Sequence, residues 1–134
     1  MVCIHCHSET RVINSRLQKK ANQVWRRRKC TKCSAIFSTS EVVQYELTWL
    51  VRSSGSLTPF NRDKLLLSII ASIQHRPTAL EDASALTETV MNKLLFSATA
   101  GVIDARTIAH IVQVALNRFD RAASVHYQVF HRNS

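Results

Sequence analysis

The residues with the clearest chemistry are four cysteines in two pairs, Cys3-Ile4-His5-Cys6 and Cys30-Thr31-Lys32-Cys33, and the chain has no others. Two residues between thiols allow a tight turn to aim both at one ion. The 23 residues from His7 to Lys29 are a comfortable loop for a β-hairpin joining two such turns. Zn²⁺ takes four tetrahedral ligands, and a closed shell of thiolates marks a structural rather than a catalytic ion. In a reducing compartment paired C-x-x-C spacings indicate metal ligands rather than disulfides. His5 and His7 are rival ligands, but four thiolates already fill the shell. Cys3 to His7 also satisfies C-x-x-C-H, the attachment pattern of c-type haem. That chemistry normally needs an export signal, and it leaves Cys30 and Cys33 without a role.

Arg26-Arg27-Arg28-Lys29 leads straight into the second pair. The chain is basic, +9 over 134 residues, and the excess is concentrated: residues 1–46 carry nine Lys/Arg against Glu9, Glu41 and Glu46. Four thiolates around Zn²⁺ add about −2, so this segment stays near +4. A cationic field on a small domain suits a phosphate partner, and a run of cations beside a metal site points to nucleic acid rather than to a merely solvated strand. Trp25 offers a ring for base stacking, although packing inside the small domain is its simpler role.

Positioning these groups requires short strands. Arg11 to Arg16 reads as one, Lys19 to Gln23 as a polar turn, Val24 to Lys29 as the return strand and Ala35 to Thr39 as a third. On the return strand Arg26 and Arg28 project to one side and Arg27 and Lys29 to the other. Beyond residue 46 the pattern changes. Leu47 to Val51 and the stretch into Pro59-Phe60 form a hairpin around Gly55. Asn61 is an N-cap stapled by Phe60 and Leu65, predicting a helix from Arg62 to about His75 with Leu65, Leu66, Ile69, Ile70 and Ile73 inward. Arg76-Pro77 stops it. A second helix spans about Leu80 to Leu95 with Leu86, Val90 and Leu94 on one face. A third follows an N-cap at Asp104, stapled by Ile103 and Ile108, and buries Ile108, Ile111, Val112, Ala115 and Phe119. A last helix spans about Ala122 to Phe130. There is no internal repeat or low-complexity segment.

The apolar run Leu65 to Ile73 is far short of the roughly 20 residues that span a bilayer, and the start has no signal-peptide pattern, so the expectation is a cytoplasmic protein. No nucleophile, base and acid set stands out, so no enzyme is expected.

At this point the chain resembles the NrdR family, the bacterial transcriptional repressors of ribonucleotide reductase genes. The resemblance covers nearly the whole chain. It is carried by the two cysteine pairs, Val12-Ile13-Asn14-Ser15-Arg16 (the family usually has Asp at the third place), Arg26-Arg27-Arg28, Phe37-Ser38-Thr39, Pro59-Phe60-Asn61, Lys64-Leu65 and Arg76-Pro77. It implies an α+β protein: a zinc ribbon at 1–46 that binds a double-stranded DNA operator, then a mainly helical ATP-cone at 47–134 with a short N-terminal β-hairpin. It implies one structural Zn²⁺ on Cys3, Cys6, Cys30 and Cys33, and Arg16 and Arg26, Arg27, Arg28 and Lys29 facing DNA. It further implies ATP or dATP near Val51, Arg52 and Lys64, controlling a homo-oligomer.

The departures cluster in the second half. Where the family's turn reads Lys-x-Asp-Gly-Arg-Arg-Glu-Pro-Phe, this chain has Arg52-Ser53-Ser54-Gly55-Ser56-Leu57-Thr58-Pro59-Phe60, and Ser124 and His131 stand where tyrosines are usual. The expected consequence is nucleotide binding weakened, altered in specificity or lost. In the ribbon His7 and Ser34 replace the knuckle glycines, so strained turns are expected with the ligands intact. Two other readings are an RNA-binding or ribosome-associated zinc ribbon and a detached piece of a ribonucleotide reductase. The second fits poorly, because there the cone precedes a catalytic barrel and the cysteines come last.

Overall fold

The computed structural model describes residues 1–131 and forms two compact units, Met1–Val43 and Gln44–Ser134. In the first, β1 (Thr10–Gln18), β2 (Gln23–Cys30) and β3 (Ile36–Val42) make an antiparallel sheet in that order. The β1–β2 turn is a short 3₁₀ piece, Lys19–Ala21, ended by Asn22 at φ 48°, the left-handed conformation that Asn tolerates better than most residues. The strands run longer than the sequence indicates because backbone pairing continues past the apolar residues, to Gln18 opposite Gln23 and Gln23 opposite Val42. β1 and β2 stay in register from Thr10–Cys30 to Gln18–Gln23 except at Ile13, which bulges between the pairs Val12–Arg28 and Asn14–Arg27.

Each cysteine pair sits in a turn that requires φ > 0 just after its second thiol. His7 at 57° and Ser34 at 59° supply it, so the expected strain is present at both knuckles. The Cys3 amide donates to the Ser8 carbonyl (2.8 Å) and the Cys30 amide to the Ala35 carbonyl (2.9 Å). Thr31 ties the knuckles together, its amide and hydroxyl both donating to the Glu9 carbonyl at 3.1 and 3.0 Å. Among the described residues of this unit, the buried side chains are those of Cys3 and Cys30.

The second unit confirms the α+β reading. β4 (Leu50–Ser53) and β5 (Ser56–Pro59) are joined by Ser54-Gly55, with φ of 47° and 82°, a turn whose two positive φ angles match hairpin twist. The first arm starts later than Leu47, because Tyr45–Leu47 is a 3₁₀ turn that leaves Leu47 82% exposed and delivers Trp49 into the core. Next come α1 (Arg62–Ile73), α2 (Ala79–Leu94), β6 (Val102–Asp104), α3 (Ala105–Phe119) and α4 (Arg121–Phe130). β6 pairs parallel with β4 and completes a sheet of order β5-β4-β6. It is too short to show a sequence period and exists through its partner. Gly101 leads into it at φ 77°, where a Cβ would lie 3.1 Å from the Thr48 carbonyl.

Asn61 caps α1 as expected, its side chain accepting from the Lys64 amide at 2.8 Å. Two details differ. Asp104 precedes α3 in extended geometry but makes no side-chain cap bond, whereas Asp120, overlooked in the sequence, caps α4 through the Ala122 and Ala123 amides. Phe119, expected in the core, is 39% exposed and lies under the Arg76 guanidinium, 4.7 Å from its ring centroid. Arg76 also bonds Asp82 at 2.9 Å, so the arginine before Pro77 joins the start of α2 to the end of α3. Leu65, Ile69 and Ile73 of α1 and Leu86, Val90 and Leu94 of α2 pack into one core with Ile103, Val112 and Tyr127. Among the described residues no helix is long and apolar enough to cross a membrane.

Candidate metal centre and nucleic-acid interface

The knuckles bring all four cysteines together, with the sulfurs mutually within 4.8 Å. Cys3 Sγ lies 3.6 Å from Cys33 Sγ, and Cys6 Sγ 3.5 Å from Cys30 Sγ. A tetrahedron of sulfurs about 2.3 Å from a zinc ion has edges of about 3.8 Å, so the spacing fits that ion. Backbone amides already point at the sulfurs: His5 N–H to Cys3 (3.4 Å), and Lys32 and Cys33 N–H to Cys30 (3.3 and 3.4 Å). Such donors orient metal-binding thiolates and offset part of their charge.

The donor chemistry agrees. Ser8, through its backbone and then its hydroxyl, pulls Cys6 down to about 6. Cys30 is lowered as well, chiefly by the Cys33 amide. The Ala35 amide acts to lower Cys33, but the crowding sulfurs of Cys30, Cys6 and Cys3, together with desolvation, outweigh it and push Cys33 up to about 12. Four thiolates so close repel one another, and a divalent cation relieves that repulsion.

The strand register sorts the cations into two faces. Residues directly opposite in antiparallel strands point to the same side. Arg11 pairs with Lys29, Asn14 with Arg27 and Arg16 with Trp25, and these form one face. Val12 and Arg28, Ser15 and Arg26, and Leu17 and Val24 form the other. On that second face Arg26 is held by Glu41 at 2.5 Å, and Arg28 donates to the Thr39 hydroxyl at 3.2 Å. The alternation expected for Arg26 to Lys29 therefore holds, while Arg16 joins the Arg27 side. Arg11 joins it too, a residue sequence reasoning did not single out. Trp25 is half-buried on this same face.

In the second unit Val51 and Lys64 line one cavity of about 250 Å³ together with Phe60, Ser68, Tyr127 and His131. Arg52, the next residue on β4, turns the opposite way into a neighbouring cleft with Ser54, Asp104 and Arg106. Ser68 Oγ lies 2.8 Å from His131 Nε2, and the Tyr127 and His131 rings stack with centroids 4.2 Å apart. Burial holds His131 below its ordinary pKa and raises Tyr127, the latter offset in part by Ser68. Ser124 is buried against α3, its hydroxyl donating to the Gln113 carbonyl, away from this cavity. Of the two expected tyrosine replacements, only His131 reaches it.

Comparison with known proteins agrees with the residues. The family model of the transcriptional repressor NrdR-like N-terminal domain matches residues 1–41. The transcriptional repressor NrdR of Psychrobacter arcticus is 31% identical across 99% of this chain and 88% of that protein. Its namesake in Nitrosomonas eutropha is 31% identical over 99% of this chain and 83% of its own length, and that in Xanthomonas oryzae pv. oryzae 34% identical over 99% and 76%. All are named for repression, a non-enzymatic role. A similarity that runs through both units, on top of the four-sulfur cluster and the N-terminal match, means that this chain belongs to the NrdR family.

Proposed function

We propose that this chain is a zinc-dependent, DNA-binding repressor of ribonucleotide reductase genes, with residues 1–46 contacting the operator and residues 47–134 binding an adenine nucleotide and oligomerising. The observation that carries the reading is the Arg11, Arg16, Arg27, Lys29 face, set on a sheet whose end is closed by four sulfurs. Zinc, when bound by Cys3, Cys6, Cys30 and Cys33, supplies a cross-link that a unit without an apolar core needs. The cations then neutralise phosphates and release counterions. Support for a nucleotide comes from the cavity beside Val51 and Lys64. Its volume lies below the roughly 300–1,000 Å³ of sites that enclose a drug-sized ligand. It therefore suits a base, leaving phosphate charge to Lys64 and, in the adjoining cleft, Arg52.

Anisotropy titrations over a salt series test the reading, with duplexes from upstream of ribonucleotide reductase genes, random duplex and structured RNA. The expected result is a preference for one upstream duplex by about 10³ or more over random sequence. Equal affinity for structured RNA would overturn it in favour of an RNA-binding ribbon. For the cone, ATP or dATP should change the solution mass of the protein, and Lys64→Ala should weaken that response.

A further inference from the structure

Resting on the DNA-binding reading, we infer that a single side of the ribbon sheet holds the duplex, and that Arg11 is a DNA-contacting residue whereas Arg26 and Arg28 brace the sheet. The bulge at Ile13 decides this. Strict alternation along β1 would put Arg11 and Arg16, five residues apart, on opposite faces. One unpaired residue changes the parity, so that Arg11 lies opposite Lys29 and Arg16 opposite Trp25 on the same side as Arg27. A β-bulge commonly re-aims side chains in this way.

The resulting face carries Arg11, Arg16, Arg27 and Lys29 and, among the described residues of the three strands, no carboxylate. The reverse face carries Arg26 and Arg28 with Glu41, and its cations are engaged by Glu41 and by Thr39. That face also holds Val12, Leu17, Val24 and Phe37, an apolar composition ill suited to phosphates. All four cations of the first face stand on β1 and β2, while β3 contributes only Ile36, Ser38, Ser40 and Val42 there. A two-stranded ribbon matches the width of the major groove, which a charged surface spread over three strands would exceed. Arginines of the same run thus divide: Arg27 reaches for DNA, and its neighbours on either side bond within the protein.

The test compares single variants of the zinc-loaded full chain, Arg11→Gln, Arg27→Gln, Arg26→Gln and Arg28→Gln, by the slope of log K against log salt on the preferred duplex. Arg11→Gln and Arg27→Gln should each flatten the slope by about one unit, the value of one lost phosphate contact. Arg26→Gln and Arg28→Gln should leave it unchanged. Zinc stoichiometry reports whether each ribbon is intact. If Arg26→Gln loses zinc, the double variant Arg26→Gln with Glu41→Gln removes the pair as a unit and takes its place. A slope flattened by Arg26→Gln and untouched by Arg11→Gln would overturn the sidedness and leave DNA binding standing. A parent protein that binds no duplex even at low salt would overturn both.

Discussion

The two units of this chain solve the problem of stability in opposite ways. In Gln44–Ser134 sixteen buried residues from a sheet and four helices form one apolar core among the described residues. In Met1–Val43 burial reaches only two of the four cysteines, and Val2, Ile4, Val12, Ile13, Leu17 and Ile36 are exposed. A segment of that size cannot bury enough surface to offset chain entropy, so a metal cross-link has to substitute. The difference has a functional side. A sheet that does not need a core face can carry cations on both sides, whereas the helical unit turns much of its apolar surface inward on itself.

The largest expected effect breaks the comparison at its metal. Cys30→Ala removes a ligand that is buried and whose sulfur accepts two backbone hydrogen bonds. Because structural zinc contributes on the order of 10 kcal/mol to such modules, the ribbon should unfold and duplex binding vanish. The helical signal in far-ultraviolet circular dichroism should persist. Stoichiometric zinc with unchanged DNA affinity would contradict the closed-shell site.

A smaller effect comes from the other unit. Ile69, fully buried between helices, when cut to Ala should cost about 2–5 kcal/mol, the range for large-to-small core changes. Denaturant unfolding followed by helix signal should record that loss while zinc content stays at one per chain. A parallel loss of zinc would show that the units are not independent.

The smallest sharpens the helical side by pH. Asp120 is held below the ordinary carboxylate range by the Ala123 amide first, then by His75, and Asp82 by the Thr78 hydroxyl, then Arg76. Folded values below unfolded ones mean that both groups add stability above the unfolded pKa of about 4, and that it is lost as pH falls through the folded value. Asp120→Asn should therefore flatten the loss of helical stability between about pH 5 and pH 2. An unchanged acid profile would remove Asp120 from the account.

Much of this was legible before any fold. The cysteine pairs name their own chemistry because C-x-x-C spacing is a property of one tight turn. The helices were legible because their burial has a period: Leu65, Ile69 and Ile73 repeat every four residues, and Asn61 stands where a cap must. What failed was whatever depends on a distant partner. β6 is three residues long and is a strand only beside β4. Phe119 has a helical-face position but ends the helix next to Arg76, and a cation beside its ring suits partial exposure. Asp120 was missed because a cap between two helices leaves almost no gap in the pattern.

The Arg11, Arg16, Arg27 and Lys29 face of the first sheet shows the division most clearly. Sequence alone determined that this protein carries two paired cysteine turns, a helical second half and a concentrated positive charge, since residue type and local spacing suffice for each. Only the tertiary structure decided which arginines stand together. Side-chain parity along a strand can be counted from the chain, but a bulge exists only against a paired neighbour, and the one at Ile13 brings Arg11 and Arg16 to the same side.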